Sequence, residues 1–218
     1  MRIVQTPVGK MEVFCYLVFD EQSREGILID PAGNEDELLK LLQSEGVRLR
    51  YVLNTHGHAD HTCGNNTIRK ATGALVVMHA LDDDFFQEDA NRQWAKTMGF
   101  NPAPPADVRV NDGDEIQFGN NIGARFVHTP GHTPGACCIL IGGNLFTGDT
   151  LFVGAVGRTD LPGGSFEQLI ESIRTKILPL PRETIIWPGH DYGDSAQSTI
   201  GREMSTNPYI TDFLLEEE

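Results

Sequence analysis

Apolar residues run unbroken through Val13-Phe14-Cys15-Tyr16-Leu17-Val18-Phe19, bracketed by Glu12 and Asp20. Such a run reads as a buried strand, and the pattern places strands near 11–19 and 26–30. Asn34 then stands as the N-cap of a helix reaching about Glu45, with Asp36 and Glu37 in its first turn. Arg50 to Asn54 is the next buried strand and leads straight into Thr55-His56-Gly57-His58-Ala59-Asp60-His61. Residues 62–72 read as helix and Leu75 to Met78 as strand. From Leu81 to Phe100 the pattern is an acidic, partly amphipathic helix, stopped by Asn101-Pro102-Ala103-Pro104-Pro105, which cannot propagate a helix. The stretch 81–107 is therefore expected as a surface excursion and a candidate lid.

Beyond it, Val108 to Gly135 gives short strands punctuated by Asn111-Asp112-Gly113-Asp114 and Gly119-Asn120-Asn121, the turn chemistry of hairpins. Further strands fall at 137–141, 144–147 and 184–187, with a helix at 165–178. Strands followed by helices in each half predict an α+β fold of two mixed sheets packed face to face with helices outside. The 218 residues are expected to form a single domain, 1–218.

Charge narrows the partners. Asp and Glu number 31 against 17 Lys and Arg, a net charge of −14, which disfavours nucleic acid because a phosphate backbone demands clustered positive charge. No run approaches the roughly 18 apolar residues of a membrane span, and no small-residue cleavage site follows the first apolar stretch. Cys137 and Cys138 are adjacent while Cys15 and Cys63 stand alone, so neither a disulfide framework nor a CxxC pair is available. A reducing cytoplasm is the expectation, and Glu216-Glu217-Glu218 reads as a solvated end.

The chemistry is concentrated. His56, His58, Asp60 and His61 fall within six residues although the chain has 7 histidines in all. In extended backbone 56, 58 and 60 project to one side, and His61 reaches the same space from the turn into the helix. Imidazole nitrogen and carboxylate oxygen are ligands for zinc, iron or manganese. Three later segments share this character: His132 in Thr129-Pro130-Gly131-His132-Thr133-Pro134-Gly135, Asp149 in Thr147-Gly148-Asp149-Thr150, and His190 in Pro188-Gly189-His190-Asp191. Plainer readings fit the remaining candidates. His79 and His128 read as structural, Cys63 as a small packed residue, Phe85 and Phe86 as core rather than the lip of a pocket, and Trp187 as packing.

With these segments in their order, the chain resembles the metallo-β-lactamase superfamily. The resemblance implies a four-layer αββα sandwich and two metal sites: His56, His58 and His132 for one ion, Asp60, His61 and His190 for a second, with Asp149 bridging. Asp60 would also orient the nucleophilic water, giving Asp60 and Asp149 catalytic roles. Two divalent ions are implied, zinc first, with iron or manganese as alternatives.

Within the superfamily, Leu151 through Gly164 and Thr199-Ile200-Gly201-Arg202-Glu203 to Asn207-Pro208 look like short glyoxalase II-like hydrolases. Those enzymes cleave thioesters such as hydroxyacylglutathione by attack of a metal-bound hydroxide, releasing a thiolate. The chain stops before the glutathione-binding helical segment of the longer members. Arg158 is a candidate for holding a substrate carboxylate, with a salt bridge to Asp160 as the plainer reading. A second branch, the persulfide dioxygenases, is similar around His56, in Gly157-Arg158-Thr159-Asp160 and in His190-Asp191-Tyr192. There a single iron on His56, His132 and Asp149 would oxidise glutathione persulfide. A non-catalytic scaffold would have lost a ligand, and none is missing.

Overall fold

A computed structural model describes residues 1–214; the acidic Glu216–Glu218 end lies outside the described residues. The chain forms two compact units, residues 1–110 with 116–123 and residues 111–115 with 124–218. In the first, strands β1 (Arg2–Val8), β2 (Val13–Phe19), β3 (Glu25–Ile29), β4 (Arg48–Leu53), β5 (Leu75–His79) and β6 (Val108–Val110) make a six-stranded sheet in chain order. β1 to β3 pair antiparallel and β3 to β6 pair parallel. The helices of this unit are α1 (Glu35–Ser44), α2 (Ala59–Thr62), α3 (Asn65–Thr72), α4 (Ala80–Gln87) and α5 (Asp89–Thr97).

The second sheet contains β7 (Glu115–Phe118), β8 (Ile122–His128), β9 (Cys137–Ile141) and β10 (Asn144–Gly148). A small hairpin, β11 (Leu151–Phe152) and β12 (Ala155–Val156), follows β10. After helix α6 (Phe166–Ser172) come β13 (Ile185–Pro188), β14 (Ser198–Thr199), α7 (Ile200–Thr206) and α8 (Pro208–Thr211). The sheet order is β14-β13-β10-β9-β8-β7, with β10 and β13 parallel.

Each unit has its own apolar core. Cys15, Leu17 and Phe19 from β2, with Leu28, Val52 and Val76, pack against Leu38 and Leu42 of α1 and Ile68 of α3. Cys138, Leu145 and Ile186 pack against Leu169, Ile173, Ile177, Ile200 and Ile210. A fully buried side chain of this size contributes about 1.5–3 kcal/mol of transfer free energy. All seven residues of β2 are buried, as its uninterrupted apolar run required.

The differences from the sequence reading have physical causes. β1 was not foreseen because it is a half-exposed edge strand containing Pro7, with little alternation to betray it. The expected helix over 81–100 breaks at Glu88, whose extended φ −60°, ψ 140° separates α4 from α5. The helix expected over 62–72 is α3, Asn65–Thr72, preceded by the separate short α2, Ala59–Thr62. Asn34 precedes α1 in a left-handed conformation, φ 51°, and makes no side-chain cap. Instead its Oδ1 accepts from Gly9 N at 2.9 Å and its Nδ2 donates to Glu37 at 3.0 Å, tying the β1–β2 turn to the helix. The 165–178 helix is α6 continued by a π-helical turn, Ile173–Ile177. No helix among the described residues is long and apolar enough to cross a membrane.

Candidate metal centre

Four of the seven expected ligands belong to the first unit. Ile29 of β3 pairs with Leu53 of β4 in parallel register, so Asp30 and the Asn54-Thr55-His56 segment leave neighbouring strand ends together. Asp30, in a left-handed backbone conformation, is buried and its carboxylate is fully engaged. Oδ1 accepts from Thr55 N at 2.9 Å, and Oδ2 accepts from Thr55 Oγ1 at 2.6 Å and faces His61 Nδ1 at 3.0 Å. Thr55 Oγ1 also lies 3.1 Å from His56 Nδ1. With Nδ1 of both rings held from behind, Nε2 is the nitrogen each ring turns to a metal, the usual arrangement of an oriented imidazole ligand.

Ligand atoms of Asp30, His56 and His61 lie within 4.8 Å of one another. Asp30's hydrogen bonds make it the residue that aligns the two rings. The sequence reading missed it: a lone Asp at the end of a strand is ordinary turn chemistry.

His58 stands immediately before α2 as its N-cap, and its carbonyl accepts from His61 N and Thr62 N, both at 3.1 Å. The His56 ring sits 4.9 Å from His58 and 4.1 Å from His61. Asp60 is the half-exposed member, its Oδ2 3.9 Å from His61 Nε2. Gly57 N donates to the buried Asp82 Oδ2 at 2.8 Å, which anchors the middle of the loop.

The other three, His132, Asp149 and His190, belong to the second unit. Gly148 of β10 and Pro188 of β13 are parallel partners, and Gly189 N donates to Gly148 O at 2.8 Å. Asp149 and His190 thus emerge side by side. Asp149 Oδ2 lies 3.6 Å from His132 Nε2 and 3.6 Å from His190 Nε2. His132 Nδ1 meets Arg158 O at 2.7 Å, so this ring too presents Nε2.

The turn carrying His132 is fixed by Gly131, φ 136°, where a Cβ would come 2.3 Å from Leu169 N, and by Ser172 Oγ donating to Pro130 O at 2.8 Å. Gly157 admits no side chain: a Cβ there would lie 1.7 Å from Asp149 O and 3.3 Å from His132 Nδ1. The β11–β12 hairpin is held by the buried Glu203, whose Oε2 accepts from Gly154 N at 2.8 Å and Asn207 Nδ2 at 2.9 Å, and whose Oε1 accepts from Ser198 Oγ.

These donor sets fit divalent metal. Each unit offers imidazole nitrogens and carboxylate oxygens, the histidines are buried, and the rings of His56, His61 and His132 are oriented by a second hydrogen bond. The side chains of the remaining candidates have other partners. The Arg158 guanidinium forms a two-point pair with Asp160, 2.7 and 2.8 Å, on an exposed surface, and this pairing holds the Asp160 carboxyl down at about 2. His79 Nδ1 caps α4 by accepting from Leu81 N, and His128 Nε2 lies 2.9 Å from Pro134 O. Burial, followed by the charges of Glu35 and Asp60, pushes the Cys63 thiol up to about 11. Trp187 stacks on Phe146. Phe86, for which core and pocket lip were the two readings, rests edge-on against His58, ring centroids 5.2 Å apart.

The chain matches the sequence profile of the metallo-beta-lactamase superfamily over residues 8–190. It is 35% identical over 217 residues to hydroxyacylglutathione hydrolase GloC of Haemophilus influenzae, spanning 96% of this chain and 98% of that one. It is also 35% identical over 205 residues to the mitochondrial persulfide dioxygenase ETHE1 of Homo sapiens, spanning 91% and 71%. Among solved structures, BLEG-1 B3 metallo-beta-lactamase superposes with a TM-score of 0.87 at 32% identity, over 96% of this chain and 100% of the other. TTHA1623 in a di-iron-bound form gives 0.81 at 33%, over 94% and 99%. The α+β architecture of mixed sheets and helices expected from the sequence is thus the metallo-β-lactamase fold. Profile, relatives and fold agree that the chain belongs to the metallo-β-lactamase superfamily, whose members are for the most part metal-dependent enzymes.

Proposed function

We propose that the protein is a binuclear metal-dependent hydrolase that cleaves a thioester of the hydroxyacylglutathione type. The observation that carries this reading is the position of Asp149 Oδ2, equidistant at 3.6 Å from the Nε2 atoms of His132 and His190. A carboxylate placed between two imidazoles assigned to different ions is suited to bridge them, its charge offsetting their repulsion. In this reading His56, His58 and His132 hold one ion and Asp60, His61 and His190 the other, with zinc the first expectation and iron or manganese the alternatives. Two bound cations supply a nucleophilic water at neutral pH and a Lewis acid for the carbonyl oxygen.

The chain's own groups do the rest. Asp60, the half-exposed carboxylate of the set, would orient the attacking water. Asp30 and Thr55 keep the His56 and His61 rings aligned. A thiolate leaves without a strong general acid, since an ordinary thiol has a pKa of about 8.5. The likeness to GloC over nearly the full length of both chains supports this choice.

The likeness to human ETHE1 at the same identity supports a second reading. It is a mononuclear iron dioxygenase acting on glutathione persulfide, with His56, His132 and Asp149 as the triad. Metal content per chain, measured by mass spectrometry on untagged protein from metal-supplemented culture, separates the two. About two ions, falling to about one in His61→Ala, is the hydrolase outcome, followed by turnover of a glutathione thioester. About one iron, retained in His61→Ala with oxygen uptake on glutathione persulfide, overturns it.

A further inference from the structure

The metal reading leaves two aromatic rings beside His58 without a role. Phe86 sits edge-to-face on the His58 ring, and Trp94, 38% exposed, has its ring 6.2 Å from the same imidazole. Both come from the 81–107 excursion, and several contacts fix them. Phe85 stands perpendicular to Phe86 at 5.1 Å. A Cβ on Gly57 would lie 2.1 Å from Phe86 Cδ2, so the ring covers the backbone of the ligand loop directly. Asn91 Nδ2 donates to Phe85 O at 2.7 Å, and the Arg92 guanidinium donates to Gln87 Oε1 and Ala103 O. The cavity left among Gly57, Met78, Phe86, Trp94 and Pro102 is about 20 Å³, room for about one water. The rings are packed in place, and part of the indole remains open to solvent.

We propose that Phe86 and Trp94 are specificity-determining residues that receive a neutral, apolar and planar group on the acyl side of the substrate. The proposal rests on the hydrolase reading above. Aromatic faces carry negative potential, so a departing thiolate, or a thiol bearing carboxylates, is disfavoured against them. Asp82, Asp83, Asp84 and Asp89 on the same two helices and Glu88 between them add to this, against Arg92, Lys96 and the Arg109 that pairs with Asp83 and Asp84. An uncharged acyl group meets no such penalty and gains ring contact, which discriminates roughly three- to tenfold.

The test compares two thioesters of glutathione, mandeloyl and lactoyl, on the metal-loaded protein. The wild type is expected to favour the mandeloyl thioester in kcat/KM, chiefly through KM. Trp94→Ala and Phe86→Leu bring the two substrates within about twofold while metal content per chain stays unchanged. Equal losses on both substrates overturn the proposal and leave the hydrolase reading standing. Failure of the fully loaded wild type to cleave either thioester overturns the hydrolase reading instead, and binding then decides the wall alone. The chain has 2 tryptophans, so 5-fluorotryptophan labelling gives two ¹⁹F resonances, assigned with Trp94→Phe. A saturable shift of the Trp94 resonance with mandelate and none with lactate supports the wall; no shift with either, or equal shifts with both, overturns it.

Discussion

Asp30 illustrates how much a single side chain can organise without touching a reactant. Its two oxygens gather Thr55 N, Thr55 Oγ1 and His61 Nδ1, and through them fix the ring orientation of two ligands. Asp30→Asn keeps the volume but replaces an acceptor oxygen with a donor. It should weaken metal affinity roughly 10- to 100-fold, measured by competition with a chelator, while the far-ultraviolet circular dichroism spectrum stays that of the wild type. Arg158 teaches the converse. Its guanidinium is already engaged by Asp160 on an exposed surface, so Arg158→Ala should change kcat/KM less than about fivefold, and a hundredfold loss would place the guanidinium on the substrate.

The pairing lowers the Asp160 pKa to about 2. Its contribution to stability is therefore present above the ordinary carboxylate range and is lost only as pH falls toward 2. The thiol of Cys63 is shifted the other way, to about 11, so at pH 8 it is protonated in the fold. Alkylation by iodoacetamide should be about a hundredfold slower than for a free thiol, quickening as pH rises toward 11. Of the seven expected ligands, His56, His58, Asp60 and His61 drew notice by falling within six residues, and His132, Asp149 and His190 by lying directly after strands or in a rigid turn. Asp30 did not, because hydrogen bonds between neighbouring strand ends leave no mark on local sequence.

At the scale of elements, parallel pairing governs where chemistry lies. β3 beside β4 delivers Asp30 and His56, and β10 beside β13 delivers Asp149 and His190. Loops leaving parallel strands at one end meet without long detours. Gly157 belongs to this scale, since it lets the hairpin after β10 close over the Asp149 carbonyl. Gly157→Ala meets backbone rather than a movable side chain. It should displace Asp149 and reduce both metal content and activity at least tenfold, whereas Gly143→Ala, with open space around it and no left-handed backbone to strain, should leave both near wild type. The strongly apolar strands were readable from their unbroken apolar runs between polar brackets. The break at Glu88 and the edge strand β1 were not, because one depends on the dihedral angles of a single residue and the other on a partner it finds across a turn.

For the whole molecule, metal and folding are linked. An ion bound only by the native state stabilises it by about 2.7 kcal/mol at a hundredfold excess over its Kd, which for a chain of this size is about 5–10 °C in Tm. Chelator treatment should lower Tm by that order in calorimetry, and re-addition of zinc should restore it. The division of the expected ligands, four in one unit and three in the other, was not visible in the sequence, which spaced them along one chain with no composition boundary between. The polypeptide passes from one unit to the other three times, after residues 110, 115 and 123. Neither unit is a continuous stretch, so no single recombination join could import or exchange one of them whole. Exchange of either unit takes more than one join, whereas substitutions within α4 and α5, which carry Phe86 and Trp94, alter the surroundings of His58 inside the first unit alone.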